Sequence, residues 1–347
     1  MTPIRRIIVA DAHVPFVTGG AELHVRSLID VLRKRGHDVD LVALPFRSQP
    51  KEELLAQAAA WRLLDLSSSN SEPVDLLIAT RFPTYFARHP RKVAWVIHQH
   101  RAAYELCGTP YSDFEHTEMD VGLRRTLFEL DALHAFEPAD DEHVVAVRSL
   151  MQTIGQERWV IEPFCCDTVE RPEPACGVVR VCEHMAALAK HARVELAIAA
   201  MAHVPPPLRL IIAGDGSQRA AAERAVAEQG LQERVIFAGA IAGVALIDLY
   251  AGSLAVVYAP FDEDYGYVTL EAFLCAKPVI TATDSGGTLE FVVDDQNGFV
   301  CAPEPAAIGA ALARLAADRA YAARLGQAGR ARAEQITWDG VVERLLG

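Results

Sequence analysis

The stretch APFDEDYGYVTLEAFLCAKPVITATDSGGTLEFV, residues 259–292, decides the fold of this chain. It follows a predicted apolar strand at residues 255–258 and reads as a loop, a helix, a second apolar strand and a Gly-rich turn. Glu263 lies in the loop, Glu271 is expected in the first turn of the helix, and Gly266 lies between them. Both acids are therefore predicted at the carboxyl edge of a parallel sheet, where ligands bind in open α/β folds.

Two carboxylates at that edge suit a ligand with several hydroxyl groups, because carboxylates accept hydrogen bonds from paired hydroxyls. The turn at Gly286 and Gly287 adds backbone N–H groups, which suit a phosphate. A ligand with both sugar hydroxyls and phosphate would satisfy both halves. Either acid alone could be surface charge or a partner of the helix dipole, but the pair together with the glycines favours a binding site.

Outside this stretch, apolar strands alternate with helices, which predicts parallel sheets covered on both faces. Strands are predicted at residues 6–10, 39–44, 74–79, 93–97, 144–147, 159–161, 178–182, 208–213, 235–238, 255–258, 279–282 and 298–300. Helices are predicted at residues 21–35, 51–66, 119–136, 192–202, 219–229, 245–251, 305–334 and 338–346.

The length of 347 residues suits about two domains. Pro172 and Pro174 mark a linker over residues 170–175. The predicted division is therefore a first domain at residues 1–170 and a second at 171–330, followed by a terminal segment at 331–347.

Bulk composition excludes several classes of protein. The formal net charge of −13 argues against a nucleic-acid partner, which needs a basic face. The seven cysteines form no CxxC pair, so neither a zinc site nor a disulfide framework is predicted, and reduced thiols fit a cytoplasmic protein. The sequence predicts no membrane span and no signal peptide.

Two short glycine motifs are ambiguous by themselves. Gly19 and Gly20 precede the first helix, and Gly214-Asp215-Gly216 follows a strand. Each pattern is typical of a loop that approaches phosphate, and equally of a plain tight turn. The second lacks the third glycine and the distant acid of a dinucleotide fingerprint, so an NAD enzyme is disfavoured.

Two polar clusters have side chains that can bind a metal, but neither pattern favours a metal site. The triplet Asp262-Glu263-Asp264 resembles a DxD clamp, but acid triplets in loops are usually solvated. His98 and His100 directly follow a strand without a third ligand in view. No metal site is predicted, and the position of His98 after a buried strand favours a role in a binding site.

In combination, these motifs resemble a retaining GT-B glycosyltransferase of the family 4 type, also called glycosyltransferase group 1. The resemblance covers nearly the whole chain. It is carried by Gly19-Gly20-Ala21-Glu22, Gly214-Asp215-Gly216, the loop from Glu263 to Glu271, Lys277-Pro278-Val279-Ile280, Ser285-Gly286-Gly287 and Thr337-Trp338-Asp339. It implies an α/β protein with two Rossmann-like domains facing each other across a cleft, the last helix crossing back to the first domain.

The same resemblance implies an activity. A hexosyltransferase-type enzyme would move a sugar from a nucleotide-diphosphate sugar to a glycan, lipid-linked or small-molecule acceptor, with retention of configuration. The family usually works without a metal, and no cofactor is expected beyond the donor substrate. A surface patch could bring the protein to a lipid-linked acceptor, so peripheral association with the inner face of the cell membrane is left open.

The resemblance also assigns roles in the second domain. Glu271 would hold the ribose hydroxyls and Glu263 the hydroxyls of the sugar ring. The backbone of Gly266, Tyr267 and Val268 would approach the sugar or the diphosphate.

Further roles follow for residues elsewhere in the chain. Gly19 and Gly20 would reach the phosphates from the first domain, and His98 would face the acceptor and the donor sugar. Gly214 belongs to the predicted donor-binding set.

One segment departs from the family pattern. The family usually neutralises the departing diphosphate with an Arg and a Lys before the helix that starts at residue 194, but those positions hold Ala187 and Ala192 here. Lys190 and Arg193 are close enough in sequence to substitute for them. Two alternatives stay open: a non-catalytic GT-B relative that binds sugar nucleotides, and, less favoured, a nucleotide-sugar epimerase.

Overall fold

The computed structural model describes residues 4–16, 20–98, 100, 112, 114, 116–136, 178–182, 193–216, 218–241, 243–263 and 265–347. Contacts divide the chain into two units, Met1–Glu157 with Trp338–Gly347, and Arg158–Thr337. The predicted domain boundary at residue 170, the linker and the strands at 144–147 and 159–161 lie outside the described residues.

The first unit contains a parallel four-stranded sheet in the order β2-β1-β5-β6. Its strands are β1 (Arg6–His13), β2 (Asp38–Pro45), β5 (Leu76–Arg81) and β6 (Lys92–His98), and β3 (Ser68–Ser69) pairs with β4 (Glu72–Pro73) in a separate hairpin. Its helices are α1 (Gly20–Lys34), α2 (Glu53–Leu63), α3 (Glu118–Phe136) and the last helix of the chain, α10 (Trp338–Leu346). Every residue of β5 is buried, as expected for a central parallel strand covered on both faces.

The strand order of this sheet reverses between β1 and β5. The chain passes from β1 outward to β2 and from β5 outward to β6 on the opposite side. Such a topological switch point leaves a crevice at the carboxyl ends of the two strands, where α/β folds bind ligands. Asp11 in β1 and Arg81 at the end of β5 lie at this edge.

The second unit contains a parallel six-stranded sheet in the order β12-β11-β10-β7-β8-β9. Its strands are β7 (Val178–Cys182), β8 (Arg209–Ala213), β9 (Val235–Gly239), β10 (Ala255–Val257), β11 (Val279–Ala282) and β12 (Gly298–Cys301). Its helices are α4 (Val194–Ala200), α5 (Arg219–Glu228), α6 (Val244–Ala251), α7 (Tyr267–Leu274), α8 (Pro305–Ala317) and α9 (Arg319–Ala333). The order reverses between β7 and β10, so the segment after β10 leaves the sheet beside the switch point.

Two predicted helices differ from the structure. The single helix predicted at residues 305–334 is two helices, because Asp318 leaves the helical conformation and its side chain accepts a hydrogen bond from the Tyr321 N–H at 2.8 Å. The helix predicted at residues 192–202 begins only at Val194 and ends in a 3₁₀ turn, Met201–His203.

Close packing of α9 holds α7 in place. An alanine Cβ at Gly326 would lie 2.0 Å from the Ala276 carbonyl oxygen, and one at Gly329 would lie 2.3 Å from the Phe273 ring. Only glycine permits this approach. The apolar face of α7, including Val268 and Phe273, is buried against this layer and the sheet. Within the described residues, the longest and most apolar helices fall short of what a membrane crossing requires.

Candidate functional site

The segment between β10 and α7, residues 258–266, is referred to below as the β10–α7 loop. Backbone hydrogen bonds join it to the turn after β11: Asp262 N–H donates to Asp284 O at 2.8 Å, and Gly287 N–H donates to Glu263 O at 2.7 Å. Glu263 and Gly286 also form an isolated parallel bridge. The β10–α7 loop and the turn after β11 are therefore joined to each other around Glu263.

This arrangement corrects the predicted role of the Gly286-Gly287 turn. The Gly287 N–H is already used by Glu263 O, so it does not point at a phosphate. Gly286 has φ +62°, and an added Cβ would lie 2.5 Å from Glu263 O. A glycine is needed at position 286 because two backbones approach each other closely here.

A buried tyrosine holds each of the two predicted carboxylates. The Tyr250 hydroxyl donates to Glu271 Oε2 at 2.8 Å, and the Tyr258 hydroxyl donates to Glu263 Oε2 at 2.9 Å. Both tyrosines are buried. Sequence reasoning missed them, although a buried tyrosine needs a partner for its hydroxyl and Tyr258 follows an apolar strand directly.

Glu271 lies one turn further into its helix than predicted. Helix α7 begins at Tyr267, so Glu271 occupies the second turn rather than the first. Gly266 caps the helix with φ +79° and ψ +55°, a left-handed conformation that glycine adopts readily. Tyr267 and Val268 form the first turn of α7, and the start of a helix favours an anion.

Two tyrosines at this helix start remain neutral. The rings of Tyr265 and Tyr267 lie 4.9 Å apart between centroids, and Tyr265 also packs edge-on against Phe291 at 5.1 Å. Burial raises the pKa of both hydroxyls well above their ordinary value. They add apolar walls to the site and no negative charge.

Arg193 is engaged by acceptors of the protein itself. Its guanidinium donates to Ala259 O at 2.9 Å, to Pro260 O at 2.6 Å and to both carboxylate oxygens of Asp284 at 2.7 and 2.8 Å. The side chain is only 10% exposed. A diphosphate would have to compete with Asp284 for this cation, so its contact with a diphosphate stays a prediction while its contact with the β10–α7 loop is observed.

Not all predicted residues come together. The second unit collects Glu263, Glu271, Gly266, Tyr267, Val268 and Arg193 at the carboxyl ends of β10 and β11 and the start of α7. Gly214 follows β8, two strands away from β10, and its N–H donates to Gly239 O at 2.8 Å. In the first unit, Gly20 begins α1 and His98 ends β6. Gly19, Lys190 and Asp264 lie outside the described residues.

A second charged cluster lies at the switch point of the first sheet. Arg81 donates to both oxygens of Asp11, at 2.6 and 2.9 Å, and forms an ion pair with Glu22 at 2.9 Å. All three side chains are buried. Burial alone would lower the pKa of Arg81, but the hydrogen bond and charge of Asp11, with Glu22, raise it. Asp11 and Arg81 each end an apolar run, which was the available sequence signal.

Metal binding gains no support from the described part of the chain, where no three His, Cys, Asp or Glu side chains are grouped so as to hold an ion. Metal independence remains a prediction.

Comparison with known proteins connects the second unit of this chain to a known family. Residues 180–332 match the family model described as glycosyl transferases group 1. The α-1,3/1,6-mannosyltransferase ALG2 of Mus musculus is 35% identical over 124 residues, which cover 35% of this chain and 30% of that protein. This chain thus matches less than a third of the length of that relative.

Solved structures extend the likeness to the whole chain. Sucrose-phosphate synthase from Thermosynechococcus elongatus has a TM-score of 0.68 at 17% identity, covering 98% of this chain and 97% of that one. HepE of Anabaena, solved with UDP and glucose, has a TM-score of 0.58 at 17% identity over 98% and 97%. The protein therefore has the GT-B fold, α/β with two Rossmann-like domains. Within that fold, residues 180–332 are similar to glycosyltransferase group 1, the family whose model they match.

Proposed function

We propose that this protein transfers a sugar from a nucleotide-diphosphate sugar to a carbohydrate or glycolipid acceptor with retention of configuration. The observation that carries the proposal is the pair Glu263 and Glu271, each held by a buried tyrosine, beside the first turn of α7. Carboxylates accept from sugar hydroxyls, and a helix start attracts phosphate. The UDP and glucose bound to the structurally similar HepE support the same ligand class.

In the proposed reaction, the bond between the anomeric carbon and the diphosphate oxygen breaks while the acceptor oxygen bonds to that carbon. The acceptor hydroxyl gives its proton to the departing diphosphate oxygen, and the nucleoside diphosphate leaves with the electrons of the broken bond. The start of α7 lies at the same edge of the sheet, and its dipole would stabilise this negative charge more strongly in the transition state than before it.

The donor would be divided between the two acids. Glu271 would bind the ribose hydroxyls, Glu263 the sugar ring, and the backbone at Gly266, Tyr267 and Val268 the diphosphate. Further contacts from His98, Lys190, Gly19, Gly20 and Gly214, a cytoplasmic location and peripheral attachment to the membrane belong to the same proposal and rest on the family resemblance.

A sugar-nucleotide-binding protein without turnover is the second candidate. Two observations favour it: Ala187 and Ala192 occupy the positions of the family's cations, and Arg193 is paired with Asp284. Slow release of sugar from the bound donor, or its transfer to an acceptor, would exclude this candidate. Tight donor binding without either would establish it.

Glu271→Gln tests the donor site, because glutamine keeps the size of the side chain and removes its charge. Calorimetry against UDP-, GDP- and ADP-sugars should show micromolar binding by the native protein to one of them and a loss of at least about tenfold in Glu271→Gln, as expected for a charged hydrogen-bond acceptor.

Glu228→Gln is the matched control, since Glu228 is exposed at the end of α5 in the same unit. It should bind like the native protein. Unchanged affinity in Glu271→Gln, or no binding by the native protein across the panel, would overturn the proposal.

A further inference from the structure

Two tyrosine–glutamate pairs, Tyr250–Glu271 and Tyr258–Glu263, lie at the candidate donor site. The family resemblance assigned a role to the glutamates and none to these two tyrosines. Resting on the proposed function, we propose that Tyr250 and Tyr258 are positioning residues that orient the two donor-binding carboxylates before the ligand arrives. Tyr250 orients Glu271 on the nucleoside side, and Tyr258 orients Glu263 on the sugar side.

Both hydrogen bonds have lengths within the ordinary range for O–H···O contacts. Donor–acceptor distances of 2.8 and 2.9 Å join a phenol O–H to a carboxylate oxygen in each pair. In both pairs the bonded atom is Oε2. A carboxylate offers about four lone-pair positions, and the tyrosine hydroxyl uses one of them in each glutamate.

A glutamate that is oriented before the ligand arrives contributes more to ligand affinity than a mobile one. A free glutamate side chain loses about 1–2 kcal/mol of rotamer entropy when it is ordered. A tyrosine that holds the carboxylate in the folded protein moves this loss out of the binding step. Each tyrosine therefore raises donor affinity without touching the donor.

The scaffold that carries Tyr250 is rigid. Tyr250 O accepts from the Ser253 hydroxyl at 2.8 Å and from Ser253 N–H at 3.0 Å, which closes the end of α6. Lys277, in the connection that follows α7, donates to Ala251 O at 2.8 Å. Because this bond ties the end of α6 to the end of the helix that carries Glu271, the Tyr250–Glu271 distance is fixed from both sides.

The scaffold that carries Tyr258 is the sheet itself. Tyr258 N–H donates to Ile280 O at 2.9 Å and so extends the β10–β11 ladder by one bond. Five residues later, Glu263 is held by the bridge to Gly286. Tyr258 at the sheet end of the loop and Glu263 further along it are therefore both held by the backbone of the β11 segment, and the hydroxyl of one donates to the carboxylate of the other.

The two tyrosines should act on different parts of the donor. Glu271 is assigned to the ribose and Glu263 to the sugar ring. Loss of the Tyr250 hydroxyl should therefore lower the affinity for the nucleoside diphosphate and the affinity for the nucleotide sugar by the same factor. Loss of the Tyr258 hydroxyl should lower the affinity for the nucleotide sugar alone, because a nucleoside diphosphate has no sugar group to contact Glu263.

The test uses Tyr250→Phe and Tyr258→Phe, which remove one oxygen atom and keep the ring, with Tyr321→Phe as the matched control. Tyr321 lies on α9, and its hydroxyl is bonded to Asp295, away from both acids. Calorimetry measures the affinity of each variant for UDP and for the UDP-sugar, or for the corresponding base that the native protein prefers.

We expect an affinity loss of about tenfold for both ligands in Tyr250→Phe, and for the nucleotide sugar alone in Tyr258→Phe. Tyr321→Phe should match the native protein. A general loosening of the fold would lower the affinity of both variants for both ligands. If Tyr258→Phe therefore loses affinity for UDP and for the UDP-sugar by the same factor, the inference is overturned. Native affinities in both variants also overturn it.

A double-mutant comparison tests whether the Tyr250 hydroxyl acts on donor binding through Glu271. Glu271→Gln and the pair Glu271→Gln with Tyr250→Phe should have similar residual affinities, because the hydroxyl has lost its charged partner. A further tenfold loss in the double variant contradicts the inference. If the native protein binds no nucleotide sugar, the proposed function fails; if it binds and the tyrosine variants bind equally well, only this inference fails.

Discussion

Single residues with unusual backbone conformations shape the edge of the second sheet. Gly266 and Gly286 have φ values of +79° and +62°, and two non-glycine residues nearby, Arg193 and Asp262, have φ values of +50° and +48°. Such conformations cost non-glycine residues on the order of 1–3 kcal/mol and persist only where their surroundings hold them. Here the hydrogen bonds of the β10–α7 loop hold them.

Gly286→Ala is expected to remove donor binding. The new Cβ would lie 2.5 Å from Glu263 O and 2.7 Å from Glu263 N, and backbone atoms cannot turn aside as a flexible side chain can. Glu263 would therefore move away from its position. Calorimetry with the preferred nucleotide sugar should show a loss of more than about tenfold, which corresponds to about 1.4 kcal/mol.

Gly230→Ala separates this effect from backbone strain. Gly230 has φ +68°, and a Cβ there meets nothing within 4 Å. Both variants should lose about 1 kcal/mol of unfolding free energy to the positive φ, but Gly230→Ala should keep native affinity. Equal affinities in the two variants would contradict the assigned role of Gly286.

Among the elements, Arg193 connects three that are distant in sequence. It precedes α4, and its guanidinium bonds the carbonyls of the β10–α7 loop and the carboxylate of Asp284 after β11. The planar fork of arginine matches this set of acceptors, and lysine cannot reproduce it. Arg193 thus acts on the site through the loop that carries Glu263.

Arg193→Lys is expected to lower the free energy of unfolding by about 1–3 kcal/mol, because buried acceptors lose their donors. Urea denaturation measures the change, and Arg209→Lys on the exposed face of β8 serves as the control with an effect near zero. If Arg193 instead contacts only the diphosphate, the variant would keep native stability and lose donor affinity. That result would refute the structural role of Arg193 in holding the β10–α7 loop.

For the whole molecule, the last helix matters because it returns to the first unit. Trp338 at the start of α10 packs on His24 of α1 at 5.4 Å and on Trp95 of β6 at 6.1 Å between ring centroids, and His24 lies 4.4 Å from Trp95. All three rings are buried. The last helix thus contributes Trp338 to a core cluster whose other members, His24 and Trp95, come from α1 and β6.

This core predicts a loss of stability in acid. Burial lowers the pKa of His24 from 6.5 to about 3, so between these values the unfolded chain binds a proton that the folded chain excludes. The contribution of His24 to stability is therefore complete above pH 6.5 and is lost, by up to about 1.4 kcal/mol per pH unit, as the pH falls toward 3.

His24→Phe removes this titration and keeps an aromatic ring in the core. Urea unfolding at pH 7.0, 6.0 and 5.0, followed by tryptophan fluorescence, should show a shallower decline in His24→Phe than in the native protein. His116→Phe, at an exposed position of the same unit, should decline like the native protein. Parallel curves for His24→Phe and the native protein would disprove the assignment.

Much of the architecture was predictable from local patterns. Alternating apolar strands and amphipathic helices identified the α/β class, and most predicted elements differ from the observed ones by one or two residues at their ends. The resemblance to glycosyltransferase group 1 rested on motifs only a few residues long, and the match to that family's model confirms it over residues 180–332. The break at Asp318 was missed because the alanine-rich sequence on both sides favours a helix throughout.

The sequence by itself determined that Glu263 and Glu271 lie at one sheet edge, because they are eight residues apart and flank a single strand-to-helix connection. Only the tertiary structure decided what holds them. Tyr250 and Glu271 come from different helices, and Arg193 reaches Asp284 across 91 positions of sequence. Such partners depend on which strands become neighbours, and strand order is set by packing of the whole sheet rather than by any local pattern.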